Sequence, residues 1–347
     1  MKNAVVGVDL GATTVRAGVF TPEGELLVVD QTEILAKRGP KAGLRRIIQL
    51  IEQVLQQASQ EAGGPVDLAG IGVGSTGPTD ARRGVLVNPL TLPGWIEVPV
   101  VAPLTDHFGV PACLENDADA AALGEYWAGA AKPEENATRV RCLYAITVGT
   151  GIGTACIIDG QVYRGANGFH PEGGHQIVDP SGPVCYCGGK GCWESWSSGT
   201  AIGRAAQQAI QESDLRIEPG MPGALLLTLA EGVLERVDAG LVAEAARQGD
   251  LLASQVIERA ARAFATGIFN VLMLFQPDMI VLSGGVMRSL DLFMPAIERT
   301  IQAADSYIPA RQVRILPAKL GYYAGIYGAA YAILENEAIQ GRPMKSE

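Results

Sequence analysis

Residues 4–20, AVVGVDLGATTVRAGVF, decide the fold. Two β-rich runs, 4–10 and 15–20, flank the turn Gly11–Thr14, and the whole reads as a β-hairpin. The turn also has a chemical reading. Gly11 lets backbone approach an anionic group closely, and Thr13 and Thr14 add N–H and hydroxyl donors. Asp9, at the strand end, can hold Mg²⁺ directly or through water. An ordinary hairpin turn would show the same residue types.

The pattern returns at 141–158, RCLYAITVGTGIGTACII. Two apolar runs flank Gly149–Thr150–Gly151, and Thr147 precedes the turn. Alternate glycines with a threonine make a backbone cradle for anionic oxygens. The loop lacks the G-K-[ST] ending of a Walker A motif, and a strand rather than a helix follows it. The echo reads as a weak internal repeat, two similar halves.

The rest of the chain fills in around these hairpins. A strand at 26–33 extends the first meander. Residues 41–60 carry a helical period with Leu44, Ile47, Ile48, Ile51 and Leu55 on one face. A buried strand is expected at 68–74, a loop-rich stretch at 75–100, a strand at 110–114 and a helix at 118–130. Further helices are expected at 200–213, 253–275, 289–303 and 322–337, with a strand at 279–286. The stretch 214–240 reads as an irregular surface insertion. Strands followed by helices in both halves suggest two α/β domains with a cleft between them, drawn at 1–116 plus 333–347 and at 117–332.

Composition narrows the function. A net charge of −10 disfavours a nucleic-acid partner, which needs a Lys/Arg surface. No run of eighteen apolar residues is present, so no membrane span is expected. The first twenty residues do not read as a signal peptide, because Asp9 breaks the apolar run. A cytoplasmic protein with reduced thiols is expected.

Residues 172–194, EGGHQIVDPSGPVCYCGGKGCWE, hold three of the six cysteines. His175, Cys185, Cys187 and Cys192 suit tetrahedral Zn²⁺, and a closed four-ligand set is structural rather than catalytic. The flanking acids Glu172 and Glu194 are the residues such a knuckle would position. Two further motifs carry chemistry. Ser283–Gly284–Gly285 ends a strand and leaves room for a flat ring or a phosphate on the backbone. Asn116–Asp117 opens a helix; it reads either as an N-cap or as a general base aimed at a hydroxyl.

DLGATT, ENDADAAALGE, TVGTGIG, EGGH with CYCGGKGCWE, and VLSGGV occur in the order and rough spacing of the ROK family, which the chain resembles over about residues 4–335. That family comprises sugar kinases of the actin-like ATPase superfamily and related sugar-responsive repressors. The resemblance implies two actin-like (ribonuclease H-like) α/β domains with an active-site cleft and a zinc knuckle in the larger one. It implies ATP phosphates at Asp9, Gly11, Thr13, Thr147, Gly149, Thr150 and Gly151, and nucleoside contact at Gly284 and Gly285. Asp117 becomes the catalytic base, and Asn116, Glu172, His175 and Glu194 become sugar ligands. His175 then serves both zinc and sugar, the metal fixing its ring. One departure stands out: the family's usual Gly-Glu-Ile-Gly-His is here Pro171–Glu172–Gly173–Gly174–His175.

The implied activity is Mg-ATP-dependent phosphorylation of a hexose 6-hydroxyl, D-glucose first. N-acetylhexosamine, fructose, mannose and allose kinases share the motifs, and polyphosphate is an alternative donor. Two other classes compete: a catalytically silent sugar sensor, and a ROK repressor, whose N-terminal DNA-binding segment finds no room before Asp9. A homodimer or larger homo-oligomer is expected.

Overall fold

The computed structural model describes residues 2–133, 138–212 and 220–336. The chain opens with β1 (Lys2–Leu10), β2 (Thr14–Phe20), β3 (Leu26–Glu33), α1 (Pro40–Glu61) and β4 (Val66–Ser75). Three short strands follow, β5 (Thr79–Asp80), β6 (Val85–Leu86) and β7 (Val98–Pro99), then α2 (Val101–Phe108), β8 (Ala112–Asn116) and α3 (Asp117–Trp127). Next come β9 (Cys142–Val148), β10 (Ile152–Ile158), β11 (Gln161–Val162), α4 (Trp193–Ser197), α5 (Gly199–Glu212), α6 (Ala224–Leu229) and α7 (Ala239–Arg247). The last elements are α8 (Leu251–Phe275), β12 (Met279–Ser283), α9 (Leu290–Ala304), β13 (Arg314–Pro317) and α10 (Ala324–Leu334).

Two five-stranded sheets carry the architecture. Their orders are β3-β2-β1-β4-β8 and β11-β10-β9-β12-β13. Ranked by position in the chain, both read third-second-first-fourth-fifth, so the repeat seen in the two hairpins extends to whole sheets. In the first sheet β1, β2 and β3 form an antiparallel meander, while β1, β4 and β8 run parallel.

Strand β1 is without a polar side chain from Ala4 to Val8 because both of its faces are covered there. Ala4, Val6, Val8 and Leu10 join the core that holds Ile47, Leu50, Ile51 and Val54 of α1. Val5, on the other face, packs with Phe20 and with Ile326, Ala330 and Ile333 of α10. That second layer is unusually close. A Cβ on Gly7 would lie 1.9 Å from the Ile326 carbonyl oxygen, and one on Gly72 would lie 1.7 Å from that of Ala329. On α10 itself, a Cβ on Gly328 would lie 1.5 Å from the Ala120 carbonyl oxygen of α3. The Glu125 carboxylate, buried at the end of α3, accepts from the N–H groups of Ala130, Lys319 and Leu320 at 2.7–3.0 Å.

Contacts divide the chain into two compact units, 1–143 with 155–171 and 318–347, and 144–154 with 172–317. The limits drawn from sequence at 116 and 333 assign α3 and most of α10 to the other unit. Here α3 and α10 pack on each other and on the first sheet.

Three other expectations need correction. The loop-rich stretch 75–100 contains a small β5-β6-β7 sheet, whose strands of two residues are too short to show a period. The strand expected at 110–114 is β8, Ala112–Asn116, so Asn116 ends the strand itself. The 214–240 stretch lies outside the described residues up to 219; beyond that it holds α6 and buries Leu226, Ala230 and Val237. No helix among the described residues is long and apolar enough to cross a membrane.

Candidate functional site

The first unit gathers its candidate residues at the carboxyl ends of its parallel strands. Asp9 pairs in register with Gly74, Leu10 with Ser75, and Ser75 with Asn116. Strand ends of this kind are the usual ligand edge of an open α/β sheet. Asn116 is buried; its Oδ1 accepts from the Ala118 N–H at 2.8 Å and caps α3. Asp117 is the first residue of α3, is exposed, and its Oδ1 accepts from the same N–H at 2.8 Å. Both alternatives read for the Asn–Asp pair are therefore compatible: one residue caps while the next presents a carboxylate to solvent.

Asp9 faces the same edge. Burial raises its carboxyl, the Arg16 guanidinium opposes that, and the nearby Asp117 carboxylate adds to the rise. Arg16 reaches Asp9 Oδ2 at 3.2 Å, the Tyr322 carbonyl at 3.0 Å and Gln31 Oε1 at 3.1 Å, and lies over the Tyr322 ring at 3.6 Å. The turn is closed by Gly11 N–H donating to the Thr14 carbonyl at 3.0 Å, while Ile34 N–H donates to that of Thr13 at 2.9 Å. Thr13 stays exposed and Thr14 is half-buried.

A titratable cluster lies just behind Asp117. The Arg164 guanidinium is hydrogen-bonded to Glu115, and His170 Nδ1 lies 3.8 Å from Asp119 Oδ1. Burial pushes Asp119 up to about 7; Glu115 and Asp117 add to this, and His170 and Arg164 oppose it.

The second unit holds the glycine turn. Gly149 donates to the Gly151 carbonyl at 2.9 Å and its own carbonyl accepts from Gly199 at 2.7 Å. Thr147 Oγ1 and Ser283 Oγ are hydrogen-bonded at 2.8 Å, joining β9 to the end of β12. Gly284 has φ +93°, and a Cβ there would lie 2.3 Å from the Val148 carbonyl oxygen; only glycine fits. Gly285 faces open space. It lines a cavity of ≈ 470 Å³ with Gly149, Thr150, Thr200, Asp238 and Val286.

The acids and the cysteine knuckle belong to this unit too. Glu194 Oε2 accepts from the Ile152 N–H at 2.8 Å, so this acid is tied to the glycine turn. The Glu172–His175 loop lies on β10. Gly173 donates to Thr154 Oγ1 at 3.0 Å, and a Cβ on Gly174 would lie 2.0 Å from the Ile152 carbonyl oxygen. A Cβ on Gly173 would lie 2.5 Å from Thr154 Oγ1, so one of the two residues that depart from the family pattern is fitted to a hydroxyl beneath it.

His175, Cys185, Cys187 and Cys192 bring their ligand atoms within 4.8 Å of one another. Cys185 Sγ lies 3.5 Å from His175 Nδ1, and Cys187 Sγ lies 3.6 Å from Cys192 Sγ. Metal–sulfur bonds of about 2.3 Å place tetrahedral ligands about 3.8 Å apart, so these residues fit a metal ion. Burial pushes the Cys185 thiol up, but hydrogen bonds from Cys187, Ser195 and His175 win and bring it to about 7. Trp193, fully buried, anchors the knuckle on α8: a Cβ on Gly267 would lie 2.2 Å from its indole.

Within the first unit the structure brings Asp9, Asn116 and Asp117 to one edge. Within the second it joins Glu194 to the Thr147–Gly151 turn and assembles all four metal-ligand candidates. Sequence reasoning missed Arg16, Asp119, His170, Tyr186 and Asp238. Tyr186 lies inside the quoted stretch 172–194, but its type and spacing carry no ligand signal; the others are joined to their partners only by the fold.

The ROK family model matches residues 5–336. A glucokinase of Thermotoga maritima is 33% identical over 96% of this chain and 98% of its own length. A ROK hexokinase of Thermus thermophilus superposes with a TM-score of 0.75 at 32% identity, over 94% of this chain and 97% of that one. A ROK glucokinase of Streptomyces griseus, solved with glucose and AMPPNP, gives a TM-score of 0.68 at 30% identity over 94% and 98%. Repressors match as well: the xylose repressor of Bacillus subtilis is 25% identical over 95% of this chain and 77% of its length.

Proposed function

This chain belongs to the ROK family and is a sugar kinase, and we propose that it transfers the γ-phosphoryl group of Mg-ATP to the 6-hydroxyl of a hexose, D-glucose before others. The observation that carries the reading is the hydrogen bond between the Ile152 N–H and Glu194 at 2.8 Å. It joins an acid suited to hold sugar hydroxyls to a turn suited to hold phosphates. Glucose comes first because the Thermotoga maritima relative is a glucokinase and the Streptomyces griseus structure contains glucose.

In this reading the Thr147–Gly151 turn and the Gly11–Thr14 turn bind phosphate oxygens through N–H and hydroxyl groups. The ≈ 470 Å³ cavity floored by Gly285 takes the nucleoside, and Gly284 allows the backbone to pass closely beneath it. Asp9 is the residue that would hold magnesium, which neutralises charge on the phosphates when bound. Glu172, His175, Glu194 and Asn116 hold sugar hydroxyls. Asp117, exposed at the start of α3, takes the proton from the attacking hydroxyl as the phosphoryl group leaves.

The four-ligand knuckle takes a structural zinc ion, whose chemistry is to fix His175 and the chain leading to Glu194. A ligand at the knuckle and a carboxylate at the sugar are only two residues apart, Cys192 and Glu194.

The test is ADP release from Mg-ATP across glucose, N-acetylglucosamine, N-acetylmannosamine, mannose, fructose and allose. Turnover with one sugar far above the rest supports the reading and names the acceptor. Sugar binding without turnover on any of them favours a sensor or another phosphoryl donor.

A further inference from the structure

We propose that the Tyr186 hydroxyl is a resident occupant of the hydroxyl-binding position on His175 Nε2, in the cavity that Glu194 also lines, and that a sugar enters by displacing it. The proposal rests on reading those two residues as sugar ligands.

Tyr186 lies between two ligand cysteines, and its side chain points outward from the knuckle with 81% of its surface exposed. Its hydroxyl nevertheless sits 3.3 Å from His175 Nε2, with the phenol ring edge-on to the imidazole at 5.2 Å and 87°. Glu194 lines the same cavity as Tyr186. An exposed tyrosine gains little apolar burial from this pose, so the contact with His175 is what holds it there.

The hydrogen-bond roles are set by the metal side of the imidazole. His175 Nδ1 faces Cys185 Sγ at 3.5 Å, among the ligand atoms, which leaves Nε2 to carry the proton. Nε2–H then donates to the Tyr186 oxygen. A hydroxyl that accepts from this imidazole makes the same bond that a sugar hydroxyl would make there. One position on Nε2 holds one hydroxyl, so sugar and Tyr186 exclude each other.

The exchange is mechanically simple. The flanking Cys185 and Cys187 hold the backbone, so the phenol leaves by side-chain rotation alone. Its position opens on a cavity of ≈ 610 Å³ lined also by Thr150, Gly151, Glu194 and Trp196, which gives both ring and ligand room. While the protein is empty, Tyr186 accepts the bond that Nε2–H would otherwise give to water. The cost is that every binding event must first break its hydrogen bond.

The test is calorimetric titration of D-glucose into the metal-loaded protein and into Tyr186→Phe, which keeps the ring and removes only the oxygen. Loss of the competing hydroxyl should tighten glucose binding about three- to tenfold. KM for glucose should fall in parallel, and KM for ATP should not follow. Metal content measured on both proteins checks that the knuckle is intact. Glucose binding that is equal or weaker in Tyr186→Phe, with metal retained, overturns the proposal and leaves the sugar site standing. Absence of binding by both proteins, to glucose and to every other sugar of the panel, overturns the sugar reading and this proposal with it.

Discussion

A Cβ placed on Gly151 would lie 2.2 Å from Glu194 Oε2. The glycine of the phosphate turn and the acid after the knuckle are thus fitted to each other directly. The obstructing atom is the end of a flexible side chain, so Gly151→Ala moves the carboxylate rather than the fold. We expect KM for the sugar to rise about tenfold, through loss of the bond from Ile152 N–H, while the melting temperature shifts little. Kinetics and thermal denaturation on the same variant check both halves of that statement.

Asp117→Asn should lower kcat about 100- to 10,000-fold, the range for removing a general base. Asp117 is exposed and the α3 cap is carried by Asn116, so folding and sugar binding should stay near wild type. Full turnover in this variant would remove Asp117 from the mechanism.

Asp119 makes stability depend on pH. Its carboxyl is pushed up from the ordinary aspartate value of 3.8 to about 7, burial being the largest cause. The folded protein therefore binds more protons than the unfolded chain between those values. The stabilisation is fully present below pH 4 and is lost as pH rises towards 7, at up to about 1.4 kcal/mol per unit. Denaturant titrations at pH 5 and pH 8 should show a smaller difference in Asp119→Asn than in wild type.

Much of this was legible in the sequence and some was not. Both hairpins, α1 and α8 announce themselves because a run of apolar residues at a fixed period needs only local neighbours to be recognised. The metal-ligand set was legible because all four residues lie within one short segment. Arg16 could not be found: its partners Asp9, Gln31 and Tyr322 come together only after the sheet and α10 have assembled. Asp119 and His170 are likewise remote in sequence, and nothing in a helix start marks one acid as exposed and the next but one as buried. The short strands β11 and β13 owe their existence to the sheet beside them rather than to a pattern of their own.

Removing the metal should weaken sugar binding before it unfolds the protein. The knuckle is anchored by Trp193 on α8, so the core survives while the His175 ring and Glu194 lose their fixed positions. Chelator treatment should raise the glucose Kd about tenfold or more, with circular dichroism nearly unchanged. Equal Kd values with and without metal would make the knuckle irrelevant to the sugar.

Gly72→Ala tests the close packing of α10. The added methyl meets a backbone carbonyl at 1.7 Å, which cannot rotate away. Overpacking of this kind costs about 1–3 kcal/mol or more, so the melting temperature should fall clearly. Gly63→Ala, where nothing lies within 4 Å but φ is +69°, is a useful comparison for strain without a clash.

That same helix sets a schedule. Arg16, on the second strand, hydrogen-bonds to a backbone carbonyl 306 residues further along the chain. During synthesis the sheet's inner glycines and Val5 stay uncovered until nearly the whole remaining polypeptide has left the ribosome. Contacts so distant in sequence slow folding and prolong exposure of apolar strand faces. A chain cut short before residue 324 would carry an otherwise intact sheet with one bare side, and aggregation rather than weak activity is the fate expected of it.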